Sequence, residues 1–253
     1  MRITLFFILL NFLFFFSCKN KSWHLTKIEA NQITVSDSLL KKSEVEDFIE
    51  PYRTHIKKDL DSVLAYSVKT YAKTNGTFNT AIGNYMVDII FDEANPVFKK
   101  RTGKNIDMVL LNYGGIRSNL PQGNITASHA YELMPFENSI VVVPLKGTTI
   151  FKMINYLIQS KQAHPISKLQ LVINKNYELV KAEINNEAIN PEKKYYVATS
   201  DYLHHGGDHM DFFKESDTVF NLNYKIRSII LDNFKKIDTI QPVIDNRFIQ
   251  INN

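Results

Sequence analysis

Two strand-like segments of this chain each run straight into a pair of glycines. Asp107 to Asn112 reads as a buried strand, and Tyr113-Gly114-Gly115-Ile116-Arg117 follows it. Tyr195 to Ser200 reads as another strand, and Asp201-Tyr202-Leu203-His204-His205-Gly206-Gly207-Asp208 follows that one. Glycine lets other groups approach the backbone closely, so each pair marks a place where the chain is brought near something else. The first turn carries an arginine, whose planar fork suits an anion. The second carries an aspartate. Met134-Pro135-Phe136-Glu137-Asn138 lies between them in sequence, and Phe136 and Tyr202 offer flat faces that stack on a planar ring. The two turns read as two lips of one polar ligand site, and the fold must bring both strand ends together.

The rest of the chain mixes helices and strands. Residues 24–36 read as extended. Ser43-Glu44-Val45-Glu46 has the form of a capping box, so a helix is expected from there, with Pro51 kinking or restarting it. Val63 to Tyr71 alternates as a strand, and Ala81 to Val97 reads as a helix with Ile82, Met86 and Ile89 on one face. Thr126 or Ser128 caps a short helix ending near Pro135. Ser139 to Leu145 is a β-branched strand, after which Thr148 is expected to cap a helix to Ser160. Leu169 to Ile173 and Glu178 to Ile184 read as a hairpin, with a further turn at Asn185-Asn186. Leu222 to Phe234 reads as the last helix, and Phe248 to Ile251 as an edge strand. Hairpins and crossovers together predict one α/β (α+β) sandwich with a mixed β-sheet.

At 253 residues and 44% hydrophobic the chain can bury a sizeable core. The net charge of +4 is modest and the lysines are scattered, so nothing suggests a nucleic-acid partner. The N-terminus stands apart. Met1-Arg2 precedes an apolar run from Ile3 to Phe16 that ends at Ser17-Cys18. The run is short for a membrane span and suits an export signal. Cys18 is the sole cysteine, which excludes an intrachain disulfide. Its position resembles the lipidated cysteine of a bacterial lipoprotein; a cleaved soluble signal and an uncleaved anchor are the alternatives. The expected layout is a signal at 1–17, a tether and lead-in at 18–43, and one domain at 44–250.

Five pieces in order, Asn112-x-Gly114-Gly115-Ile116-Arg117, Gly123-x-Ile125-Thr126, Pro135-Phe136-x-Asn138, Lys146-Gly147 and Gly206-Gly207-Asp208, resemble the C-terminal domain of the 5′-nucleotidase/UDP-sugar hydrolase family. The resemblance covers about Glu44 to Phe248. It implies the fold of that domain and a role in binding the nucleoside end of a nucleotide. In that family a separate N-terminal metallophosphoesterase domain holds two divalent metals and the catalytic His–Asp pair. The family's metal motifs, an Asp-x-His and a Gly-Asn-His-Asp/Glu turn, do not occur in this sequence.

By the same resemblance Phe136 and Tyr202 sandwich the base, Asn112 lies beside it, Arg117 reaches the sugar or phosphate end, and Asp208 accepts from the ribose hydroxyls. Asn138, Gly114, Gly115, Gly206 and Gly207 complete the binding set, the glycines for close backbone approach. Each has a blander alternative: core aromatics among 17 Phe and 12 Tyr, a surface arginine in a salt bridge, and turn caps for Asn112 and Asp208. Two departures bear on substrate range. The family places another arginine just before the turn that is Gly83-Asn84 here, yet residues 74–82 contain neither Arg nor Lys, and Lys73 is the nearest cation. His209 and Met210 stand where a glycine and an aromatic are usual. His204, His205, Asp208, His209 and Asp211 could be weighed as metal ligands, but neighbours in extended chain point to opposite faces and the family has no metal there.

The expectation is the nucleotide-binding half of an exported, lipid-anchored 5′-nucleotidase. It would bind no cofactor itself, and a separate metallophosphoesterase chain would supply the two divalent metals. The alternative is a non-catalytic cell-surface lipoprotein that binds nucleosides or nucleotides.

Overall fold

A computed structural model of the chain describes residues 23–36 and 43–252. The expected signal, Cys18 and most of the tether lie outside the described residues. The chain divides into two units, Met1–Ile49 and Glu50–Asn253. In the first, residues 24–36 are exposed and form no strand, so the extended reading finds no sheet there. Helix α1 (Ser43–Leu60) runs across the division. It starts where the capping box predicts, but Pro51 neither breaks nor restarts it; that turn is exposed, where water can meet a carbonyl left without its partner. No helix among the described residues is long and apolar enough to cross a membrane.

The second unit is built on a mixed five-stranded sheet. Its strands are β2 (Met108–Leu110), β4 (Ser139–Lys146), β5 (Ile166–Ser167), β9 (Lys194–Ser200) and β10 (Phe220–Lys225), in the order β10-β4-β9-β2-β5. β2 and β9 are parallel neighbours, and the other pairs are antiparallel. Both faces are covered, and the strand residues sort accordingly. Ile140, Val142, Val109 and Ala198 join one apolar core, while Val141, Val143, Leu110 and Val197 join the other. A strand with both faces buried reads as a continuous apolar run, as β4 does.

On the first face pack α2 (Ala81–Thr102), α3 (Ala127–Leu133) and α6 (Ile226–Lys236), with a three-stranded sheet of β1 (Val63–Ser67), β3 (Gly123–Thr126) and β11 (Thr239–Ile240). Helix α2 begins at Thr80, whose hydroxyl accepts from the Gly83 N–H at 3.1 Å, and ends at Gly103 with φ 74°. On the second face lie α4 (Gly147–Ser160) and a four-stranded sheet of β6 (Leu169–Ile173), β7 (Leu179–Ile184), β8 (Glu187–Ala188) and β12 (Phe248–Gln250). The remaining helix, α5 (Asp201–His204), follows β9.

Four local expectations change. Thr148 is inside α4, which starts at Gly147 with Lys146 as its N-cap. Tyr71 lies beyond β1, which ends at Ser67. The last helix starts at Ile226, and residues 220–225 pair with β4 as a strand. Helix α2 continues five residues past Val97, carrying Pro96 inside it.

Sheet topology fixes where loops emerge. The C-terminal ends of β2 and β9 lie side by side because those strands are parallel. The N-terminal end of β4 joins them, since Ile140 pairs with Ser200, and the C-terminal end of β10 follows, since Lys225 pairs with Ser139. Both glycine pairs and the Pro135-Phe136 turn therefore leave one edge of one sheet.

Candidate ligand site

At that edge a cavity of about 550 Å³ opens. Eight of the ten expected residues line it: Asn112, Gly114, Gly115, Arg117, Phe136, Asn138, Tyr202 and Asp208. Of the other two, Gly207 stands against the Tyr202 ring and Gly206 beside Lys214 and Asp211. Phe136 and Tyr202 are 41% and 46% exposed, so neither is a core aromatic. Met86, Leu111, Ile116, Met134 and Ile226, which were not among the expected binding residues, also line the cavity. They form an apolar floor continuous with the core.

Asp208 is the centre of the polar wall. Its Oδ2 accepts from Asn112 Nδ2 at 2.7 Å, and its Oδ1 accepts from the Tyr202 hydroxyl at 2.9 Å. The two glycine turns are thereby tied to each other. The bond to Asp208 is the main reason the Tyr202 phenol titrates above its ordinary range. A phenylalanine at 202 would offer the same face but no such bond. Asn138 is anchored differently, its Nδ2 donating to Asp201 Oδ1 at 2.9 Å.

The glycines serve the protein's own packing. A Cβ on Gly207 would sit 2.4 Å from the Tyr202 ring, and one on Gly115 would sit 2.9 Å from Asn112 Oδ1. Gly114 has Asn112 Nδ2 and Asp208 Oδ2 around the same position. Gly207 thus makes room for the Tyr202 ring and Gly115 for the Asn112 amide. Gly206 also has φ 88°, which favours glycine. The turn keeps its left-handed course through Asp208 and His209, with φ 52° and 59°, so His209 occupies a conformation that suits the usual glycine better.

Arg117 is exposed, lies over the Phe136 ring at 5.8 Å and donates to the Gly114 carbonyl at 3.3 Å. Lys73, the cation nearest the missing arginine, is turned to the loop instead. It donates to the Ile116 carbonyl at 2.9 Å and lies 4.5 Å from the centre of the Tyr113 ring. It does not line the cavity.

Behind Phe136, Arg227 of α6 donates to the carbonyls of Met134 and Phe136, pairs with Glu137 and covers the Tyr131 ring at 4.4 Å. Tyr156 and His164 support the glycine turns from below. None of these three was legible from the sequence, where each is a lone residue in an unremarkable context.

The reasoning that kept His204 and His205 apart needs correction. They lie in α5 and at its end, and their rings are 5.3 Å apart. Among the described residues, though, no three His, Cys, Asp or Glu side chains converge as metal ligands.

Comparison with known proteins agrees with this fold. The profile of the family described as 5′-nucleotidase, C-terminal domain, matches residues 58–215. The trifunctional nucleotide phosphoesterase YfkN of Bacillus subtilis is 25% identical over 69% of this chain and 13% of its own length. The cell wall protein Lmo0130 of Listeria monocytogenes is 26% identical over 68% of this chain and 27% of its own. Among solved structures, a 5′-nucleotidase precursor from Thermus thermophilus superposes with a TM-score of 0.69 at 20% identity, over 83% of this chain and 43% of that one. The chain thus spans well under half the length of these relatives.

Proposed function

The chain belongs to the 5′-nucleotidase C-terminal domain family, and from that membership we propose that it binds nucleosides and nucleotides in the cavity between its glycine turns. One observation carries the reading. Two exposed aromatic rings, Phe136 and Tyr202, stand at a cavity whose polar wall is the Asn112–Asp208–Tyr202 network. Rings left half in water are suited to take up a planar base. Asp208 keeps lone pairs for ribose hydroxyls beyond the two bonds it already accepts. Arg117 is placed to meet a sugar or phosphate oxygen.

In the proposed reaction this chain positions a nucleoside 5′-phosphate, and a separate metallophosphoesterase chain supplies two divalent metals. Those metals would activate water and stabilise charge on the phosphate. The sequence holds neither of the family's metal motifs, and the described residues offer no ligand cluster of their own. The chain would be exported and lipid-anchored through Cys18, in keeping with the apolar run before it and with a relative described as a cell wall protein.

The non-catalytic reading draws on one observation as well. Arg117 is the only cation lining the cavity among the described residues, so a nucleoside is held better than a phosphate. Phosphate release from AMP with Mn²⁺ separates the two. The full chain alone is expected to be inactive. Mixed with a metallophosphoesterase chain that lacks such a domain, it should release phosphate, and Phe136→Ala or Arg117→Ala should abolish the gain. Turnover by this chain alone would contradict the division of labour, and AMP binding without turnover in any mixture would select the non-catalytic reading.

A further inference from the structure

Two side chains that no motif marks, one buried and one partly buried, reach the backbone of both glycine turns from beneath. His164, 3% exposed, sits between α4 and β5. Its Nδ1 accepts from the Tyr113 N–H at 3.1 Å, at the first residue of the turn that carries Gly114 and Gly115. Tyr156, on α4, donates its hydroxyl to the Asp208 carbonyl at 2.7 Å, in the turn that carries Gly206 and Gly207. The two rings touch, with centroids 5.5 Å apart. Above them, Asn112 and Asp208 are joined side chain to side chain.

These contacts close a circuit. It runs from Asn112 to Tyr113, through His164 and Tyr156 to Asp208, and back to Asn112. Both lower bonds end on backbone atoms, so they set where each loop lies whatever its side chains do. A shift of either loop must break a bond or slide the Tyr156 ring past the buried His164 ring, and packed interiors resist that.

We propose that His164 and Tyr156 are positioning residues that couple the two loops, holding Asn112 and Asp208 at one fixed spacing for the ligand. The inference rests on the ligand reading of the cavity given above.

The tautomer supports it. A backbone N–H can only donate, so Nδ1 is unprotonated and the proton of neutral His164 is on Nε2. That Nε2 is buried with no hydrogen-bond partner in the protein. A core chosen for stability alone would place an apolar ring here, since an unpaired buried donor costs free energy. What the imidazole supplies is the acceptor for Tyr113.

Three variants of the full chain test this: His164→Phe, His164→Asn and Tyr156→Phe. Phe keeps an aromatic of similar bulk and removes the acceptor; Asn places an oxygen where Nδ1 was. Backbone hydrogen exchange without ligand is the first readout. His164→Phe should speed exchange not only at Tyr113 but also at residues 207–209, and Tyr156→Phe should speed it at residues 113–116 as well as at its own loop. Adenosine titration is the second. His164→Phe and Tyr156→Phe should each weaken binding about tenfold, as expected for one buried hydrogen bond lost, while His164→Asn stays within about threefold of the parent. Loosening confined to each residue's own loop would overturn the coupling, as would unchanged adenosine affinity in a folded His164→Phe. If the parent protein binds no adenosine, the ligand reading fails, and the exchange pattern alone decides whether the loops are coupled.

Discussion

Tyr202 joins two functions in one side chain. Its ring offers a stacking face, and its hydroxyl holds Asp208 at 2.9 Å. Substitution separates them. Tyr202→Ala and Phe136→Ala should each cost about 1–3 kcal/mol of adenosine binding, the worth of one stacked base. Tyr202→Phe should cost at most about 1 kcal/mol, since one exposed hydrogen bond is lost and Asn112 still holds the carboxylate. Gly207→Ala should mimic Tyr202→Ala, because the new methyl would fall 2.4 Å from the ring and displace it. All four are read by calorimetric titration. His164 predicts a pH effect on stability. Burial lowers its pKa from 6.5 to about 4, with Asp208 pulling weakly the other way. The unfolded chain therefore takes up the proton first. Stability from this group is complete above pH 6.5, declines as pH falls, and is fully lost below about 4. His164→Asn, which does not titrate there, should flatten the unfolding curve across that window, and a denaturant series from pH 7 to 4 measures it.

Elements were legible where local pattern and tertiary role agreed. The β-branched run of β4 and the hairpin of β6 and β7 read directly. Residues 220–225 did not. Leu222, Ile226, Ile229 and Ile230 fall at helical spacing, so the stripe reads through from strand into helix. Pairing of Phe220 and Asn221 with Val142 and Val141 overrides that pattern for its first four residues, 222–225. β5 and β11 are two residues each and leave no periodicity to read. The last strand, β12, is joined to the rest by a partly buried polar knot. Just before it, Arg247 donates to both oxygens of Asp88 on α2 and both of Asp245, and to the Ile166 carbonyl of β5. Arg247→Ala would leave Asp88 and Asp245 facing each other without their shared cation. It should destabilise the protein by about 1–3 kcal/mol in thermal unfolding, the worth of hydrogen bonds to charged groups partly open to water, with adenosine affinity of the folded fraction unchanged, since the knot lines a different cavity.

Across the whole molecule, motif residues gave the members of the site, and topology gave their convergence. Three short motifs held Asn112, Arg117, Phe136 and Asp208, and the segment before the second glycine pair held Tyr202. That they meet follows from β2 and β9 being parallel neighbours, which no local pattern states. The supporting residues stayed hidden for a physical reason. His164, Tyr156 and Arg227 act through backbone carbonyls and amides of distant loops, and such contacts leave no spacing rule in the sequence. The chain spans 43% of the Thermus thermophilus nucleotidase precursor that it resembles in fold, and the catalytic proposal calls for a separate chain to supply the metals. Binding comes before it and is the claim on which the rest depends. The most direct test is a calorimetric titration of the purified full chain with adenosine, beside Phe136→Ala. Saturable binding at one site per chain, weakened at least fivefold by the substitution, is predicted. No binding by the parent, or binding indifferent to Phe136, would contradict the assignment of this cavity as the nucleoside site.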